Sequence, residues 1–464
     1  ATSYVPITIT QSNAEGFKIT DIPDVCLDNL PPTLISVLPS KTTVLPGETI
    51  TITATATAPD NDILYYYWSA EDGFLGLGFS NSITWTAPST PGTYRIKVVV
   101  NDHKGGWDEG EIEISVSFWT ELPIEGTGPF VARANVAIGF DDINSRIIIH
   151  GGWAWTNPPT GPILPAVGET WGIRFGSAIW ERYPDGPSRE SHGFIMDTLR
   201  HQLFIFGGAT EWYLSPPQTF LNDSWILTLS YGEEEWLKLT EVGSYKPSSR
   251  ILPYLIYDKI YDRIVMYGGL GRRWGGYYYL ADTWMGKRSG NSIEWIPVNV
   301  QPYPLGRYMG TAVYDEENQR MIIFGGQTVY AQDLNDVWAL DLTQETISSQ
   351  WKRLYPSGEP PQPRSMPGSI YDPLKKRMII FGGYQAPEGI IPDNYVHVLY
   401  LQRGNERWEH YNLNGAPPKE CVNIGQIAYY HAKREMIVVS SSNLPQCINE
   451  NGRPKVWILN IDAF

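Results

Sequence analysis

Apolar runs, each closed by a pair of glycines, recur at near-constant spacing over the last three quarters of the chain. They read IIIHGG (147–152), LFIFGG (203–208), IVMYGG (264–269), MIIFGG (321–326), MIIFGG (378–383) and a degenerate MIVVSS (436–441), spaced 56 to 61 residues apart. Between them, short β-branched and aromatic stretches alternate with Gly, Pro, Asn and Asp, the pattern of strands joined by tight turns. Nothing reads as a long amphipathic helix. A unit repeated at fixed period buries its faces against its neighbours, so the pattern predicts a solenoid or propeller.

Each unit keeps one internal order. An Arg leads (Arg133, Arg189, Arg250, Arg307, Arg364), and eight positions later comes an Asp (Asp141, Asp197, Asp258, Asp315, Asp372). The apolar run and glycine pair follow. Then come an acid or amide and an aromatic, as in Glu169/Trp171, Asp223/Trp225, Asp282/Trp284 and Asp336/Trp338, and a final Trp (Trp180, Trp236, Trp295, Trp351, Trp408). Four strands per unit are predicted. The sixth copy stops at its third strand, KVWILNIDAF, while SFWTELP around Trp119 matches SQWKRLYP around Trp351. The Trp119 strand is therefore expected to complete the last unit and close the ring without an open edge.

Residues 31–117 alternate apolar and polar positions with period two, as β-sandwich strands do. Residues 1–30 fit neither pattern. Their β-prone run YVPITIT reads either as a terminal arm or as a strand that adds to a neighbouring subunit's sheet. The expected division is an arm (1–30), a sandwich (31–117) and a propeller (118–464). Eighteen Trp, 28 Tyr and abundant Gly and Pro suit an all-β chain with many turns. The net charge of −15 argues against nucleic acid as a partner, and no apolar run is long enough for a transmembrane helix. The chain begins at Ala1 with no Met, which fits removal of a signal peptide and fits a trimmed chain equally.

The glycine pair and the two Trp positions, recurring in register over about 118–464, resemble the kelch motif. The resemblance implies four-stranded propeller blades, and the whole reads as an all-β, six-bladed propeller closed by an N-terminal strand. The sandwich resembles a PKD or related immunoglobulin-like domain in its Pro59-Asp60-x-Asp62 turn, its Tyr67-Trp68 strand, its PGTY turn and its Val-x-Asp-x-x-Gly turn at Asp102. In that family such modules serve as extracellular spacers or adhesive units.

Candidate chemistry is sparse. Cys421 and Cys447 fall at one face of the last blade, where a disulfide is geometrically reasonable; two buried thiols are the alternative. Cys26 is left over, free or paired between chains. No zinc motif is present. Asp60, Asp62, Asp102 and Asp108 are either turn formers or a calcium site, so no cofactor is expected beyond structural calcium. Asn222-Asp-Ser is a glycosylation sequon.

The loops between second and third strands carry the excess length and many aromatics: Trp153, Trp155, Trp212, Tyr213, Arg272, Arg273, Trp274, Tyr277, Tyr278, Tyr279, Tyr330 and Tyr384. Flat rings with polar edges suit protein interfaces and stacking on sugars; the alternative is loop-on-loop packing. The five leading arginines are expected at the channel mouth on this face. There they either hold loop carbonyls and carboxylates or, as the kelch resemblance implies, meet an acidic peptide. The repeated Asp reads as a turn former.

The layout is also similar to galactose oxidase and related copper radical oxidases. That family needs two Tyr, two His and a Tyr–Cys cross-link. Here Tyr430-His431 is the only adjacent Tyr-His pair, His192 alone lies near the start of a first strand, and no Cys is placed for the cross-link. The expectation is a non-catalytic, secreted or cell-surface adhesion protein that binds glycan or protein. The alternatives are a subunit of an extracellular filament or surface layer joined through residues 1–30 and the sandwich, and, least favoured, the copper oxidase.

Overall fold

The computed structural model describes residues 29–464, apart from 126–127, 130–131, 156–162, 165, 212–218, 274–275, 302, 349, 386–394, 414 and 423, and apart from the side chains of 154–155, 163–164, 330 and 463. The arm's YVPITIT and Cys26 lie outside the described residues. The chain divides into two compact units, 1–120 and 121–464.

In the first unit two four-stranded sheets form a sandwich. One has the order Thr33–Pro39, Thr49–Thr57, Ser82–Thr86, Phe74–Leu75; the other has Thr43–Val44, Trp107–Val116, Gly92–Asn101, Tyr65–Ala70. Period-two alternation sends Ile50, Ile52 and Ala54 inward, against Trp85, Ile96, Val98 and Ile114. Asn29 and Leu30, assigned above to the arm, bond to Asp102 and Asp60. These contacts lie at the turns at one end of the sandwich.

The second unit is built of antiparallel four-strand meanders. The first runs Ala137–Asp141, Arg146–His150, Thr170–Arg174, Ile179–Tyr183, and the pattern repeats with innermost strands Gly193–Asp197, Tyr254–Asp258, Thr311–Asp315, Gly368–Asp372 and Ile427–Tyr430. These innermost strands touch their neighbours in turn, and the last touches the first, so the sheets close a circuit. The second strands are the apolar runs of the sequence; Met321, Ile322, Ile323 and Phe324 are all fully buried. In the last sheet the outer place is taken by Trp119–Glu121. Leu122 N–H donates to the Val456 carbonyl at 2.8 Å, and Lys455 pairs with Glu121 at 3.0 Å. One strand was not foreseen: Thr240–Val242 joins the third sheet in parallel, through Thr240 N–H to the Asn291 carbonyl.

The glycine pairs turn the chain sharply after each second strand. Gly207 and Gly208 have φ of +67° and +95°, and a Cβ on them would lie 2.6 Å from the Arg250 and Glu190 carbonyls. The Gly208 N–H donates to that Arg250 carbonyl, tying one blade to the next. In the last blade Ser440 and Ser441 replace the pair, and Cys421 and Cys447 form a disulfide with Cα atoms 5.2 Å apart.

Candidate functional site

The leading arginines are buried inside the blades. Arg307 shows the arrangement: Nε donates to the Leu305 carbonyl (3.0 Å), Nη1 to Asp336 (2.5 Å) and the Gly325 carbonyl (3.4 Å), and Nη2 to Asp336 (3.0 Å). Asp336 also accepts from Trp338 Nε1 at 2.7 Å. Arg189 with Asp223, Trp225 and Gly207, and Arg250 with Asp282, Trp284 and Gly268, repeat it. Arg364 reaches the Gly382 and Gln362 carbonyls. The acid-x-Trp spacing therefore exists to clamp one carboxylate between guanidinium and indole. Burial alone would raise the carboxyls of Asp223, Asp282 and Asp336, but these hydrogen bonds and charges hold each below the usual range.

A second arginine series was missed in the sequence. The repeated Asp is not merely a turn former: at the far end of each first strand it takes an Arg five residues on. The pairs are Asp141–Arg146 (2.8 Å), Asp258–Arg263 (2.7 Å), Asp315–Arg320 (2.7 Å) and Asp372–Arg377 (2.9 Å). Each Arg also donates to a carbonyl of the following blade, at Leu229, Leu342, Leu401 and Ile461. In the second blade Gln202 stands in the Arg place, and Arg288 of the next blade reaches back to Asp197 and Gln202. The spacing Asp-x4-Arg was the available signal. A third link joins fourth-strand Trp to the preceding blade: the indole N–H of Trp236, Trp295 and Trp351 donates to Thr170, Ser224 and Thr283 hydroxyls.

At the inner end of the loops, one residue in each of the first five blades takes positive φ: Asn135, Ser191, Leu252, Met309 and Met366. Their backbones bond around the ring, Ser191 N–H to Asn135, Leu252 to Ser191, Met366 to Met309 and Gly425 to Met366. One arc is apolar, with Leu252, Met309, Met366 and Ile424 packed together. The other is polar, with Asn135 donating to Glu190 (3.1 Å) and Ser191 (2.9 Å). Burial pushes Glu190 up to about 7, and His150 down to about 3 with help from Arg189. His192, also buried, is driven down by the same burial and by the neighbouring His150 and Arg189.

Among the ligand candidates, Arg272, Arg273 and Tyr278, with Tyr277 beside them, come together on one hairpin, Leu270–Arg273 paired to Gly276–Tyr279. Tyr277 and Arg273 are exposed there; Tyr278 is half-buried. Trp153 and Tyr384 occupy one recurring place, bridged to Ala134 and Ser365, the residues after the leading arginines. Tyr384 packs inward on Met309, its hydroxyl 3.4 Å from the sulfur. Trp155 lies in a short hairpin strand and Tyr330 in a 3-10 turn, placed by backbone only. Trp212, Tyr213 and Trp274 lie outside the described residues.

The remaining candidates are engaged in structure. Asp102 accepts from Lys104 and Gly106 N–H (2.7 and 2.9 Å) and from Asn29, and Asp62 pairs with Lys104. Among the described residues no three His, Cys, Asp or Glu side chains gather to hold a metal. Asn222 donates to the Pro247 carbonyl and Ser224 is buried, as Asn335 donates to Pro361, so the sequon sits in a structural turn. Tyr430 stacks on Phe140 at 4.2 Å, and His431 pairs with Asp142 at the hairpin turn, away from any shared centre with His192.

Closed meanders and buried clamps define a β-propeller scaffold whose variable surface is the loop face. Residues 290–463 match the KLHDC2/KLHL20/DRC7 kelch-repeats domain and residues 34–116 match the PKD domain, so the chain carries a kelch-repeat propeller behind an N-terminal PKD domain. An F-box/kelch-repeat protein of Arabidopsis thaliana is 25% identical over 48% of this chain and 47% of its own length. A host cell factor homolog of Caenorhabditis elegans is 26% identical over 40% of this chain and 24% of its own. The chain thus spans about half or less of these relatives. The solved structure of YjhT aligns with 13% identity and a TM-score of 0.46 over 68% of this chain and 94% of its own. Among the described residues no helix is long and apolar enough to cross a membrane.

Proposed function

We propose that this chain is an extracellular, non-catalytic binding protein that takes a protein or glycan partner on the loop face of its propeller. Kelch-repeat relatives support a protein-interaction role for the propeller. One observation carries the choice of surface: the added hairpin of the third blade, which sets Arg272 and Arg273 on one strand across from Tyr277 and Tyr278 on the other. Guanidinium and phenol groups on a rigid ribbon supply the flat, hydrogen-bonding contacts that interfaces and sugar stacking require. The PKD domain and the disulfide favour an oxidising, extracellular setting. The test is binding to panels of glycans and peptides before and after Arg273→Ala, Tyr277→Ala and Tyr278→Ala are combined. Loss of a specific signal with unchanged melting supports the assignment, and undiminished binding overturns it. Copper content and oxidase assays test the non-catalytic reading.

A filament or surface-layer subunit is the second reading, favoured by the sandwich. In its edge strand Phe74–Leu75 and the loop that follows, Phe74, Leu77 and Phe79 are 69%, 101% and 65% exposed. An apolar open edge invites strand addition from another copy. Deleting residues 1–28 without any change in the native assembly would reject it.

A further inference from the structure

The seam between the last and first blades departs from every other seam described. Elsewhere the second glycine of a blade donates its N–H to a carbonyl of the next: Gly152, Gly208, Gly269 and Gly326 to the leading Arg189, Arg250, Arg307 and Arg364, and Gly383 to Val422 in the same place. Ser441, in the last blade, donates instead to Cys421. The Arg133 carbonyl is met by a side chain, Gln426 Nε2, at 2.6 Å. A small, partly open cleft lies there, walled by Val136, Ile149 and Val439 and edged by Arg133, Glu169 and Gln426.

Arg133 is unlike its four counterparts. It is 91% buried (9% exposed), yet only Nη2 is engaged, with Glu169 at 3.2 Å. Nε and Nη1 have no hydrogen-bond partner among the described residues. In the other blades Nη1 donates to the first glycine carbonyl, at Gly207, Gly268, Gly325 and Gly382. Burial pulls the Arg133 guanidinium below its ordinary range, and Glu169 does not make up the loss. Glu169 also faces Arg182 at 3.8 Å, and Arg453 is held to the Pro129 carbonyl beside the cleft. Arg182 is itself paired with Asp185 at 2.7 Å, so what stays unmet at the cleft is the donor capacity of Arg133.

We propose that this seam cleft binds a small oxyanion, an oxygen of which takes from Arg133 Nη1 the hydrogen bond that a glycine carbonyl accepts in the other blades. A buried cation lacking acceptors is costly, and a bound oxygen removes that cost by direct hydrogen bonding. The chain's net negative field opposes anions at long range, so affinity comes from contact and survives moderate salt.

Melting is measured in sodium chloride and, at equal ionic strength, in sulfate, phosphate and acetate, for the whole chain and for Arg133→Met. At an anion concentration about ten times Kd, the expected gain is on the order of 2 °C over chloride. Gain in acetate alone assigns a carboxylate; gain in sulfate or phosphate assigns a tetrahedral anion. Arg133→Met loses the gain in either case. Equal gains in both proteins mean general salting-out and overturn the proposal, as does no gain. If Arg133→Met does not fold, crystals of the parent protein at 100 mM anion decide: density within hydrogen-bond distance of Arg133 supports the site, and an empty cleft overturns it.

Discussion

Arg307 and Arg133 hold the same place in the repeat and live in different surroundings. All three nitrogens of Arg307 are used, and although burial lowers its affinity for the proton, Asp336, Tyr254 and Tyr267 hold it above its ordinary range. Arg133 has one contact, and burial wins. A repeated residue is thus no guide to a shared role: four copies serve the blade, and the copy at the broken seam has donors to spare.

The comparison breaks most sharply in stability. Arg307→Met strands Asp336, which is 12% exposed and keeps only the Trp338 N–H among its side-chain donors. A loss of about 3 kcal/mol is expected in urea unfolding, since removing one partner leaves a buried charge uncompensated. Opening the disulfide, by Cys421→Ser with Cys447→Ser, frees a loop spanning 26 residues and is expected to cost about 3 kcal/mol in the chain-entropy model, read by calorimetry. Its loss falls on the blade whose glycine pair is missing.

Glu190 offers a pH test. Burial raises its folded pKa to about 7, above the unfolded value, so the folded state holds a proton that the unfolded state gives up. Its contribution is complete below about pH 4.5 and is lost as pH rises through 7, at up to about 1.4 kcal/mol per unit. Glu190→Gln should flatten the pH 5–7 slope in urea midpoints. An unchanged slope would mean that the carboxyl ionises without penalty.

The blades were legible because the glycine pairs, the Trp positions and the Arg-to-acid order repeat in register, each forced by the same turn or clamp. The closing strand was legible from Trp119, because SFWTELP repeats a fourth-strand sequence. Arg146, Arg263, Arg320 and Arg377 were overlooked, since one Asp-x4-Arg reads as an ordinary surface pair until the far carbonyl of the next blade is seen. The cleft at Arg133 was illegible in principle. It depends on Ser440 and Gln426 meeting Arg133 about 300 residues away in sequence, and only closure of the ring brings them together.

The smallest effect is the most telling. Arg133→Met should change stability in chloride by less than about 1 kcal/mol, of either sign, although it deletes a 91%-buried guanidinium. Glu169 is not stranded by the change: it is 29% exposed, keeps the Trp171 N–H at 3.2 Å and faces Arg182. The lost contact is offset by removal of donors that nothing accepts, the condition under which an apolar replacement is neutral or stabilising. A loss equal to that of Arg307→Met would mean that Arg133 is clamped after all, and the two arginines would cease to differ.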